Sequence, residues 1–160
     1  MTDLHGLIEA LTDAQAGSAL ALTIELGGGR LDLVELTRAQ ERLVEALGDP
    51  ELTEFVVPGE ASSDGDLARL ALQHLADAEP RRVRRAIDGD GGRIERDAVG
   101  AFVIGALVLY AFSAELKIER HPEKGWTFRF HKRPLKDSTV GRLLTQLYNT
   151  YIGGPPPPAP

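Results

Sequence analysis

Hydrophobic residues recur along this chain with two different periods, which predicts helices combined with a small sheet. Leu4, Leu7, Ile8 and Leu11 fall at i, i+3, i+4 and i+7. That spacing predicts an amphipathic helix over Thr2–Ala16, with Thr2 or Asp3 as N-cap and Gly17 as its stop. In Ala19–Leu26 (ALALTIEL) the period changes to two, so Leu20, Leu22, Ile24 and Leu26 share one face, as in a strand. Gly27-Gly28-Gly29 then reads as a turn, and Leu31, Leu33 and Glu35 as a return strand. Leu43, Val44 and Leu47 restore helical spacing over Thr37–Leu47, where Gly48-Asp49-Pro50 ends the helix. Thr53–Val57 is short and β-like, closed by Pro58-Gly59.

Beyond the polar loop Gly59–Gly65, Asp64 or Asp66 is placed to cap a helix over Leu67–Ala78 with the stripe Leu67, Leu70, Ala71 and Leu75, and Pro80 closes it. A basic segment, Arg81–Arg85, and a flexible turn, Asp88–Gly92, follow. Ala98–Ala114 is seventeen residues without a charge. Leu116–Arg120 and Trp126–His131 both alternate, and His121-Pro122-Glu123-Lys124-Gly125 joins them as a hairpin. Its inward face would carry Leu116, Ile118, Trp126, Phe128 and Phe130. Its outward face would carry Lys117, Glu119, Thr127, Arg129 and His131. After Pro134 a last helix, capped by Asp137 or Ser138, runs to about Ile152 and buries Leu143, Leu144, Leu147, Tyr148 and Tyr151. Gly153–Pro160 (GGPPPPAP) is a flexible joint leading into a polyproline II stub, which fits either a disordered end or a ligand of an SH3-like partner. The fold class expected is α+β. Residues 1–152 would form one domain whose mainly antiparallel sheet, built from Ala19–Leu26 and Leu116–His131, packs against helices, with 98–114 as the most buried.

Composition narrows the chemistry. The chain has 160 residues, 42% of them hydrophobic, room for one modest core. It has no cysteine, which excludes disulfides, thiolate metal sites, iron–sulfur clusters and thiol catalysis. Met1–Leu11 has neither a basic region nor an apolar run of a targeting signal, so a cytoplasmic location is expected. Arginine outnumbers lysine 14 to 4, a bias of GC-rich bacterial or phage genomes. Charge is divided along the chain: residues 1–80 hold 4 basic and 16 acidic side chains, residues 81–160 hold 14 and 8. An acidic half and a basic half either neutralise one another within one body or present surfaces of opposite sign to other molecules.

No pattern of catalytic residues emerges. His5, His74, His121 and His131 lie on unlike elements, with His74 reading as a half-buried, satisfied side chain. Asp88-Gly89-Asp90 opens like a calcium loop, but its twelfth position is Val99 rather than glutamate. The glycines at 27–29 lack the rest of a P-loop or dinucleotide motif, and Ser62-Ser63 lacks a nucleophile elbow. No cofactor and no metal are therefore expected. A helix over Ala98–Ala114 would span about 25 Å, short of the roughly 30 Å apolar core of a bilayer. Burial in the protein is the reading carried forward, and a membrane-anchored accessory protein inserting 98–114 is the alternative. The aromatic strand Trp126–Phe130 superficially echoes an RNA-recognition sheet, but the element order is wrong and the rings are needed for the core. A winged helix fails because Ala98–Ala114 has no donor for a base edge.

What remains is a basic surface. Lys117, Arg129, His131, Lys132, Arg133 and Lys136 lie on and after the hairpin, and Arg81, Arg82, Arg84 and Arg85 form a second cluster. These are the candidate partner-binding residues. The function expected is a non-catalytic adaptor, regulator or assembly component acting through protein partners or self-association. Nucleic-acid binding by the basic half is the further alternative.

Overall fold

The computed structural model describes residues 3–28, 32–56, 63–88, 104–132 and 138–152. Within them the protein is mostly helical, with a two-stranded antiparallel sheet, and its class is α+β. The helices are α1 (Leu4–Glu9), α2 (Asp13–Leu26), α3 (Leu33–Leu47), α4 (Asp64–Ala78), α5 (Pro80–Asp88), α6 (residues 104–111) and α7 (Thr139–Tyr151). A 3₁₀ turn covers Pro50–Glu54, and the strands are β1 (Leu116–His121) and β2 (Gly125–Phe130).

The largest departure from the sequence expectation is ALALTIEL, which is the second half of helix α2 and no strand. Helix α2 packs against both α4 and α5, and Ala16 through Ala21, Thr23 and Ile24 are all buried. A helix covered on several sides has no polar stripe, so its 3.6-residue period vanishes and the chance spacing of its leucines imitates a strand. The Thr23 hydroxyl is satisfied inside the helix by donating to the Ala19 carbonyl at 2.7 Å. Thr12 begins α2 with a capping box: its hydroxyl accepts from Gln15 N–H while the Gln15 side chain accepts from Thr12 N–H. The first predicted helix is therefore two, broken at residues 10–12. Gly17, expected as a stop, lies inside α2, where an added Cβ would be 3.1 Å from Ile104 Cδ1.

Other corrections share one cause, local capping chemistry. Leu33 and Glu35 belong to α3, started by Asp32 accepting from Val34 N–H, so no return strand forms there; Leu31 and Gly29 lie outside the described residues. Asp49 caps the 3₁₀ turn through Glu51 N–H, which replaces the β-like reading of the residues from Thr53. Ser63, not Asp64 or Asp66, caps α4, with Asp66 returning the bond. Pro80 closes α4 as expected: the helix ends at Ala78, and Glu79 before the proline leaves the helical region at φ −139°, ψ 67°. Pro80 is also the first residue of α5, where its missing N–H costs no helical bond, and α5 carries the basic segment 81–85. The uncharged run forms helix only over 104–111 within the described residues, followed by turns at 112–115; 98–103 lie outside them. Ile104, Ala106, Leu107 and Val108 are buried, so the apolar run enters the core as expected. Among the described residues no helix is long and apolar enough to cross a membrane.

Helix α4 contacts α1, α2, α5 and α7, and the apolar core continues through α6 and α7 to Leu116. The hairpin lies on α3, with Leu116 opposite Phe130, Lys117 opposite Arg129 and Ile118 opposite Phe128. Its faces divide as the alternation predicts. Phe130 meets Phe55 edge-on at 5.5 Å, and Arg42 of α3 lies 4.4 Å above Trp126, while Lys117, Glu119, Arg129 and His131 are exposed. Ser138 caps α7 through Gly141 N–H, and Leu143, Leu144 and Leu147 are buried.

Candidate functional site

The hairpin stands on a tight connection. Phe112 is buried, and its carbonyl accepts from both Glu115 N–H and Leu116 N–H, which turns the chain from α6 into β1. His131 N–H then donates to the Glu115 carbonyl at 2.9 Å and extends the ladder past the end of β2. At the other end Gly125 takes a positive φ of 82°, which an L side chain rarely adopts, and His121 Nδ1 accepts from Glu123 and Lys124 N–H. Strand period then decides which side chains face outward.

The outward face gathers Lys117, Arg129 and His131 from the candidate residues, with Lys132 exposed directly after the strand. Arg133 and Lys136 lie outside the described residues. Lys117 and Arg129 are directly opposite one another in the ladder, an unfavourable arrangement for like charges. Arg129 is relieved by Glu119 on the diagonal, with Nη1 donating at 3.0 and 3.3 Å. Glu119 was absent from the sequence-level candidates, although the hairpin register alone places it beside Arg129. A groove of about 390 Å³ runs between this face and the 113–115 turn, bordered by Glu115, Lys117, Glu119, Arg129 and His131.

The second predicted cluster does not join this one through packing on a common element: α5 rests on α2 and α4, the hairpin on α3. Arg81, Arg84 and Arg85 are exposed on α5. Arg82 has a structural task instead. It pairs with Glu79 at 2.7 Å and its guanidinium covers Gly27 at the end of α2, in space that any side chain at residue 27 would need.

The histidines stay apart, and His5 and His74 are engaged locally. His5 joins α1 to Gln73 and Asp77 of α4, and the hydrogen bond its Nδ1–H donates to Gln73 Oε1, aided by Asp77, raises its pKa against the effect of burial. His74 stacks on Phe112 with ring centroids 4.1 Å apart and meets Glu115 at 3.2 Å, the half-buried arrangement expected for it. Among the described residues no three His, Asp or Glu side chains converge as metal ligands.

A second groove, of about 440 Å³, lies under the hairpin turn between Glu45, Asp49, Glu51, Lys124 and Trp126. Lys124 bridges it to Glu51 at 2.6 Å, and that bond holds the Glu51 carboxyl below its ordinary range. The cation of the hairpin tip is thereby paired within the molecule, as Arg129 is with Glu119. No protein-family model matches this chain, and no curated protein or solved structure matches it either.

Proposed function

We propose that this chain is a non-catalytic protein–protein interaction module, an adaptor, regulator or assembly component of a bacterial or phage system. Its contact surface is the outward face of the hairpin, centred on Lys117, Arg129, His131 and Lys132. One observation carries the reading. These side chains are exposed while Leu116, Ile118, Phe128 and Phe130 of the same strands are buried in or packed against the core, so the face can meet a partner without cost to the fold. Cations held in fixed register on paired strands can steer and orient an acidic protein surface.

The test is Arg129→Glu with Lys132→Glu, compared with wild type by circular dichroism and by cross-linking in a lysate of the native host. The expected result is an unchanged helical spectrum and loss of a partner captured by wild type. Identical capture by both proteins overturns the reading of this face.

A further inference from the structure

The edge of β1 supports a step beyond this reading, and rests on it: the partner of the hairpin is a second copy of the same chain. Because His131 N–H bonds to the Glu115 carbonyl, residues 115 and 131 form a hydrogen-bonded pair, and the ladder alternates from there. Lys117 and Glu119 therefore spend their backbone groups on β2. Ile118 N–H and C=O, Arg120 N–H and C=O and the Leu116 carbonyl point the opposite way, to an edge that no strand occupies among the described residues. The Leu116 N–H is already satisfied by Phe112.

An exposed edge of this kind invites another strand unless its charges repel the newcomer. Here the charge order selects the newcomer. We propose that two β1 strands pair antiparallel about a two-fold axis through Ile118, joining two hairpins into one four-stranded sheet. In that register each Ile118 exchanges both backbone bonds with its symmetry mate. The Arg120 N–H of each copy meets the Leu116 carbonyl of the other. On the outward face Lys117 falls opposite Glu119 of the second copy, and Glu119 opposite its Lys117. The sequence Leu-Lys-Ile-Glu-Arg of β1 is thus self-complementary in charge about its central isoleucine. The pairing also answers the unfavourable Lys117–Arg129 juxtaposition, since each Glu119 then lies between its own Arg129 and the incoming Lys117. On the inward face the two Ile118 side chains become neighbours and prolong the apolar layer.

Size-exclusion chromatography with light scattering, from micromolar to near-millimolar protein, reads the state directly: the expected mass at the upper end is twice 17.3 kDa. Glu119→Lys and Lys117→Glu each place like charges across the axis and should weaken the dimer about tenfold, because two symmetry-related pairs turn repulsive together. The double swap restores the complementarity and should restore the dimer, a rescue that damage to the fold would not give. Arg120→Pro removes an edge N–H without touching the β1–β2 ladder and should give a folded monomer. A wild type that stays monomeric overturns the proposal while leaving a foreign partner on the outward face. A dimer indifferent to both the charge swaps and Arg120→Pro overturns it as well, by placing the contact elsewhere. An acidic foreign strand would be favoured, not weakened, by Glu119→Lys, and that result also refutes self-pairing.

Discussion

Arg69 fastens α4 to the break between α1 and α2, and its loss should cost the fold stability. It lies on α4, and only 16% of its side chain is exposed. Nε and Nη2 donate to the Leu11 carbonyl at 3.1 and 2.9 Å, at the break between α1 and α2. The same guanidinium reaches Asp13 at 2.6 Å and Asp66 at 2.9 Å. The two carboxylates are 60% and 51% exposed, so water and salt reduce those pairs to a few tenths of a kcal/mol each. The forked bond to the carbonyl is different, because a charged donor is exchanged for an acceptor left without its partner, a loss of about 1.5–3 kcal/mol. Arg69→Ala should therefore destabilise the protein by about 2–3 kcal/mol. With a urea slope of about 2 kcal/mol/M, the unfolding midpoint falls by about 1–1.5 M. Arg69→Lys keeps the charge but not the fork, and should recover less than half. The loss should persist in high salt, which screens the carboxylate pairs but not the carbonyl bond. A loss below about 0.5 kcal/mol, or one reproduced by replacing Asp13 and Asp66 with asparagine, would refute the carbonyl as the source.

Two further outcomes follow from the contact of α6 with α3 and α7. Tyr151 is pushed up to about 12, first by burial, with Asp64 nearby adding to the effect. A folded-state value above the unfolded one contributes stability that is complete below pH 10 and lost as the pH rises toward 12. Absorbance of the phenolate during alkaline titration should accordingly show a late step that Tyr151→Phe removes, and a variant that leaves the late part of the titration unchanged would contradict the burial. At Gly105 an added Cβ would lie 2.6 Å from Gln40 Oε1 and Leu43 Cδ2. Gly105→Ala should lower stability by about 1–3 kcal/mol in thermal or urea melts, despite its better helix propensity, and a stabilised variant would show that α6 has room to move.

The parts of this fold that could be read in advance are those with one wet face and one dry face. The hairpin alternates because its outward side meets water, and α7 shows its leucine stripe for the same reason. Helix α2 was misread because Ala16, Ala19, Ala21 and Ile24 are enclosed on several sides, which erases the signal that exposure creates. Capping gave cues that hydrophobic spacing overlooks: Thr12 with Gln15 and Ser63 with Asp66 mark both helix starts in plain sequence. For the site, the hairpin cations were predictable one by one, but their relations were not. Glu119 enters only through cross-strand register, and Arg82 leaves the surface cluster only because a glycine 55 positions earlier makes room for it. Separation along the chain of that kind carries no local pattern.

The two-residue period of β1 and β2 has a consequence for how such a chain can diverge. Lys117, Glu119 and Arg129 face outward, whereas Ile118, Trp126, Phe128 and Phe130 answer to Phe55, Arg42 and the core beneath. A change of charge at 117, 119 or 129 leaves the interior undisturbed, and a change of volume at 118, 128 or 130 leaves the outer charge pattern undisturbed. Surface charge and thermodynamic robustness can thus drift as independent variables, written on alternate residues of a single ribbon.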